Sequence, residues 1–229
     1  MKRRLFPSAV ILLFCVSWFH FQGISNVYSE IDINNGIQPL LELSGQPLHV
    51  LVPESTRPLI FVKEMEQFLQ KLEGSPPDWT QLHHFDLTEQ SERLFRFNRH
   101  RDEARTAQNS LLQQPIAFLW AGFLRQYLPE YQGFSLALGP ELTQTSWGII
   151  RFKPIGLPDY LVAIPSPAFR KQLLTRQQQG EQIEIMVLFI GTLTPNESLI
   201  YAFSHDGHED GMILPVVSVQ NIMYILKPS

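Results

Sequence analysis

Residues Ile183 to Leu193 read IEIMVLFIGTL, and from Met186 onward nearly every position is apolar. Side chains of a strand alternate between two faces, so this run is apolar on both. A strand of that kind is buried on both sides, inside a barrel or under a neighbouring element. No other segment limits the fold as strongly.

Several strand candidates surround it. Ile116 to Tyr127 (IAFLWAGFLRQY) and Phe134 to Gly139 (FSLALG) are joined by LPEYQG, which predicts a hairpin with Gly133 at the bend. Gly148 to Pro154, Tyr160 to Ile164, Leu199 to Phe203 and Met212 to Leu226 complete the set. One helix interrupts them. Ser166 is its expected cap, Pro167 suits the first helical position, Phe169 and Leu173 are four apart, and Gly180 closes it. Strands, one helix, then strands is an order that resembles the OB-fold, a small barrel that binds its ligands across one face. The resemblance covers about half the chain. The chain as a whole is expected to be α+β: a small helical N-terminal region (30–112) followed by a β-rich, OB-like barrel (113–229) with one helix inserted between strands; the alternatives are a generic α+β domain or another small barrel.

The N-terminal region carries helical spacing instead. After a short strand candidate at Leu48 to Val52, Phe61, Met65, Phe68, Leu69 and Leu72 mark a helix, with Pro58 near its start and Gly74 after its end. Asp86 and Glu89 have capping-box spacing and predict a second helix, with Leu87, Leu94 and Phe95 as its buried stripe. From Asn98 the sequence NRHRDEARTAQNS is polar and predicts a solvated helix end running into a linker.

The chain opens on Lys2, Arg3 and Arg4, and an uncharged, mostly apolar run follows from Leu5 to Phe21; the next acidic or basic residue after it is Glu30. That pattern predicts a secretory signal over residues 1–29, cleaved after Ser25 or Ser29, and a periplasmic or secreted product. The alternative is an uncleaved anchor making membrane contact through residues 5–21, because the run is at the short limit for spanning a bilayer. A lipoprotein reading through Cys15 is opposed by the bulky Phe14 before it. Cys15 is the single cysteine, so the processed chain holds no disulfide and no thiolate ligand. Without Lys2, Arg3 and Arg4 the 18 basic residues become 15 against 22 acidic, a formal charge of −7. That balance argues against nucleic acid, whose phosphates call for a basic surface.

Candidate sites are few. Ser204 to Gly211 gathers His205, Asp206, His208 and Asp210 in one loop. With Glu209 the loop holds two imidazoles and three carboxylates, and His205, His208 and a carboxylate suit zinc or another divalent ion. A calcium-loop reading fails at Val217, where a bidentate Glu belongs. The competing view is a solvated hairpin turn, in which Asp and Gly are ordinary. Adjacent His83 and His84 diverge by about 100° on a helix and cannot easily share one ion. Arg93, Arg96, Arg99, Arg101 and Arg105 could face an anionic partner, but Glu92, Asp102 and Glu103 lie among them and favour a self-neutralised surface helix. Trp120, Tyr127, Tyr131 and Trp147 are candidate ligand-binding rings for a glycan or peptide, set against a plain core role. The GxSxG, HExxH, GxxxxGK[ST] and GxGxxG patterns do not occur. The expectation is therefore an exported, non-catalytic binding or assembly protein of the cell envelope, without a cofactor, whose partner is a protein or an envelope glycan. The rivals are a zinc-type hydrolase built on the 205–210 loop and a membrane-anchored accessory subunit.

Overall fold

A computed structural model describes residues 36–43, 47–106, 109–204 and 210–226, the side chains of Thr106 and Asn109 excepted. Residues 33–229 form one compact unit. Its centre is a closed, mixed barrel of six strands. In barrel order these are β1 (Ile37–Glu42), β8 (Val162–Ile164), β4 (Gly133–Leu138), β3 (Ile116–Leu128), β9 (Glu184–Leu193) and β11 (Gly211–Leu226), and β11 pairs back onto β1. β1 runs parallel to both of its neighbours; the other barrel pairings are antiparallel.

The doubly apolar run is β9, between β3 and β11. Phe118 lies opposite Phe189, and Trp120 opposite Val187. Phe189 in turn faces Ile222, and Val187 faces Tyr224. All six share the interior core cluster. The alternate residues point outward: Ala117, Leu188, Ile190, Met223 and Ile225 form a second cluster with Leu51, against which Leu41, Leu48 and Val52 pack. Both options for a two-faced strand are thus realised, barrel inside and cover outside. That cover is the segment expected as a strand. It is a single 3-10 turn, Leu48–Leu51, set between Pro47 and Pro53, each of which lacks the N–H that a ladder needs.

Short strands extend the barrel. β2 (Arg57–Pro58) lies against β3, and β7 (Lys153–Ile155) against the middle of β11. The first residues of β11 leave the barrel and make a small sheet with β10 (Leu199–Phe203), β6 (Gly148–Ile150) and β5 (Thr143–Thr145). The β3–β4 hairpin forms as expected, but Gln132 (φ 51°) takes the left-handed bend and Gly133 begins the strand. A Cβ at Gly133 would lie 2.8 Å from the carbonyl oxygen of Ala163, so close strand approach explains that glycine.

Among the described residues five helices accompany the strands: α1 (Val62–Glu73), α2 (Trp79–Leu82), α3 (Leu87–Thr106), α4 (Asn109–Leu112) and α5 (Pro167–Gln178). Met65, Phe68, Leu69 and Leu72 of α1 are buried in the interior cluster, while Phe61 is its exposed N-cap. The Glu64 carboxylate accepts from the N–H groups of Ile60 and Phe61, and Gly74 (φ 79°) ends the helix. Pro58 is not a helix starter; it belongs to β2. The expected caps of α5 form, with Ser166 Oγ accepting from Phe169 N–H and Gly180 at φ 79°.

Candidate functional site

The most developed polar constellation lies where α3 meets the outer edge of β10. Asp86 starts α3, its Oδ1 accepting from the N–H groups of Thr88 and Glu89. These bonds hold the Asp86 carboxyl below its ordinary range. The stripe expected to be buried is not: Leu87 is 73% and Phe95 66% exposed, and Leu94 is half-buried. The inward face continues from Leu94 through Asn98, Arg101, Asp102 and Arg105, at steps of three and four. Helix α3 therefore docks through polar side chains along half its length.

The strand explains this. β10 pairs with β11 along one edge, and its other edge offers backbone groups with no strand beside them among the described residues. Asn98 supplies what a neighbouring strand would. Its Nδ2 donates to the carbonyl of Tyr201 at 2.9 Å, and its Oδ1 accepts from Tyr201 N–H at 2.7 Å. Two turns on, Arg105 Nη2 donates to the Leu199 carbonyl at 3.0 Å. An uncovered edge is a template for unwanted pairing, and α3 covers this one.

Behind the edge sits a buried ion cluster. Glu73, the last residue of α1, receives Arg105 Nη1 on one oxygen, and Arg101 Nη1 and the Tyr201 hydroxyl on the other, all at 2.8 Å. Asp102 accepts from Arg105 Nη2 at 3.2 Å. Glu73 and Arg105 side chains are each 2% exposed. Burial, with the Glu73 charge and hydrogen bond after it, pushes the Tyr201 hydroxyl far above its ordinary value. Two arginines and two carboxylates leave no net charge, so the cluster ties α1, α3 and β10 together and is not a receptor for an ion. Of its fully buried side-chain atoms, Arg105 Nε has no hydrogen-bond partner. The reading of NRHRDEARTAQNS as a solvated helix end holds only on its outer side, at Arg99 and Glu103. Sequence reasoning missed Glu73, Asn98, Arg101, Arg105 and Tyr201 as one group. The available signal was the seven-residue step from Asn98 to Arg105, continuing the line of Leu94.

The aromatic candidates separate. Trp120 (8% exposed) points into the barrel, with its ring 6.4 Å from Phe118 and 6.1 Å from Phe189, and its Nε1 donates to the Gly139 carbonyl. Trp147 is 4% exposed, and its carbonyl accepts from Trp79 Nε1 at 2.8 Å. Tyr127 is half-buried beside Phe134, with ring centroids 5.3 Å apart. Tyr131, 43% exposed, stands in the β3–β4 turn. The four rings do not form one open platform.

Of the metal candidates, His205, Asp206 and His208 lie outside the described residues. Asp210 is exposed, and its carbonyl accepts from Ser204 N–H at 2.9 Å, closing the loop from β10 to β11. The two adjacent histidines diverge. The His83 ring meets Phe203 and Phe85 edge-on, at 5.7 Å each. His84 Nδ1 accepts from Asp86 N–H, and its Nε2 lies 3.4 Å from Glu89. Trp79 of α2 packs on Tyr201 and Phe203 and seals this corner against Gly211, where a Cβ would sit 2.0 Å from the indole.

The comparisons add no identity: the chain matches no family model, no curated protein and no solved structure.

Proposed function

We propose that this chain is an exported, non-catalytic binding or assembly protein of the cell envelope, periplasmic or secreted, with a protein partner. The observation that carries the reading is three large apolar side chains in water on the first half of α3 and the turn before it, where Phe85 is 96%, Leu87 73% and Phe95 66% exposed. Three large side chains held in water along one helix and the turn before it are characteristic of an interaction surface. The charged start and apolar run of residues 1–29 support export. No helix among the described residues is long and apolar enough to cross a membrane. An OB-like order of strands and helix agrees with a binding role, since such barrels work through one face. The test is a pull-down from envelope extract with the wild type and a Phe85→Ser, Leu87→Ser variant. A protein retained by the wild type and lost by the equally stable variant supports the reading; the same proteins captured by both would sink it.

One observation favours a second reading, a zinc-type hydrolase using His205, Asp206, His208 and Asp210. Phe203, the last residue of β10 and two residues before His205, packs against His83, which puts a third imidazole beside the described strand end that precedes those candidates. Elemental mass spectrometry of the purified protein, beside a His205→Ala, His208→Ala variant, decides it. Stoichiometric metal lost in the variant promotes the hydrolase; metal-free protein in both removes it.

A further inference from the structure

We infer that the outer face of α3 is a two-fold interface with a second copy of this chain. The inference rests on the assembly reading and names the occupant of its Phe95 portion.

Thr88, Glu92, Phe95, Arg99 and Glu103 follow one another at steps of four, three, four and four, so they form a single stripe on the helix. All five are exposed, and the opposite face is the one that docks on β10. Phe95 is the lone large apolar residue of the stripe. It stands between two hollows: one lined by Thr88, Ser91, Glu92 and Arg96, the other a cleft of ≈ 280 Å³ with Asn98, Arg99, Asp102 and Ile200 in its walls. A projecting ring with hollows on both sides has the shape of a knob among holes.

The charges then select the partner. An isologous contact of two antiparallel helices pairs each residue with its mirror position about the two-fold axis. With the axis between Phe95 and Arg96, the stripe maps onto itself. Glu92 of each copy faces Arg99 of the other, and this pair occurs twice. Phe95 enters the hole formed by Glu92, Phe95, Arg96 and Arg99 of the second copy, with a guanidinium against its ring. Thr88 meets Glu103. Within its own chain Arg99 already holds Glu103 at 3.2 Å, an exposed pair that pre-positions the guanidinium at the stripe. A parallel contact would instead oppose Glu92 to Glu92 and Arg99 to Arg99. Self-complementarity of this kind belongs to a second copy of the same surface.

Sedimentation velocity of the full chain over a concentration series tests this. The wild type is expected to pass from monomer to dimer, with the dimer weakened by added salt. Glu92→Arg and Arg99→Glu each convert two attractive pairs into repulsive ones and should raise the dissociation constant about tenfold or more. The combined variant Glu92→Arg, Arg99→Glu restores both pairs and should recover the wild-type constant. These side chains are exposed, so at concentrations where the wild type is monomeric thermal melting should be nearly unchanged in all three. A wild type that stays monomeric, or a dimer indifferent to the single changes, overturns the proposal; so does failure of the double variant to recover. Phe85 and Leu87 are untouched in this series, so its outcome is read separately from the capture experiment.

Discussion

Replacing Glu73 by Gln keeps the shape of the side chain and removes its charge. In the folded protein this carboxylate is 2% exposed and receives three donors at 2.8 Å. A carboxamide has one acceptor oxygen, and its NH2 would be turned toward an arginine or the Tyr201 hydroxyl. Arg101 is 17% exposed and can recover some hydration; Arg105 is 2% exposed and keeps only Asp102 as a counter-ion. Removing one partner of a buried pair costs roughly 3–5 kcal/mol. Partial relief from Asp102 and from the hydration of Arg101 places this case near the low end, about 3 kcal/mol. For a folded unit of this size that is a drop in Tm on the order of 10 °C. Calorimetry and urea unfolding of wild type, Glu73→Gln, Arg105→Met and the double variant would measure it. The double variant should lose less than the sum of the singles by at least about 1 kcal/mol, because each single leaves an uncompensated buried group. A melting point within about 2 °C of wild type, or strictly additive losses, would refute the idea that this cluster is a dry, coupled unit.

Asn98→Ala should bare the backbone of Tyr201 and cost about 1–3 kcal/mol; hydrogen exchange at the Tyr201 amide should rise sharply while β3 and β9 stay protected. Gly211→Ala drives a methyl group into the rigid Trp79 indole, so about 1–3 kcal/mol of stability and a changed Trp79 fluorescence spectrum are expected. Tyr201 and Tyr224 both have hydroxyl values raised above the ordinary 10.0, chiefly by burial. Their contribution is complete below about pH 10 and is lost as pH climbs from there toward the folded values, because the unfolded state releases those protons first. Phenolate absorbance should therefore show two of the six tyrosines ionising together with alkaline unfolding; smooth titration of all six in the native state would count against it.

Much of the barrel was legible in the chain. The double-sided apolarity of β9, the β3–β4 hairpin and the capped helix α5 are local patterns, and each survives in the fold. Apolar periodicity and caps report on burial and on backbone groups within a few residues, so they can be read one segment at a time.

The tertiary structure decided what those patterns do not encode. β1 completes the barrel from far along the chain, pairing with β8 and β11, and nothing local to IQPLLE announces two parallel partners. The segment 48–52 has the apolarity of a strand, yet it became a cover because the outer faces of β3, β9 and β11 needed one. Above all, the arginine-rich half of α3 has the composition of a solvated surface. It docks inward because an unpaired strand edge and the Glu73 carboxylate wait there. Hydrophobic pattern predicts where a helix meets other apolar groups; it is blind to a face that docks through hydrogen bonds. Arg105 and Glu73 are 32 residues apart, and Arg105 and Leu199 are 94 apart. Their burial exists only once the chain has brought them together, since an isolated arginine belongs in water and this one is buried only in company.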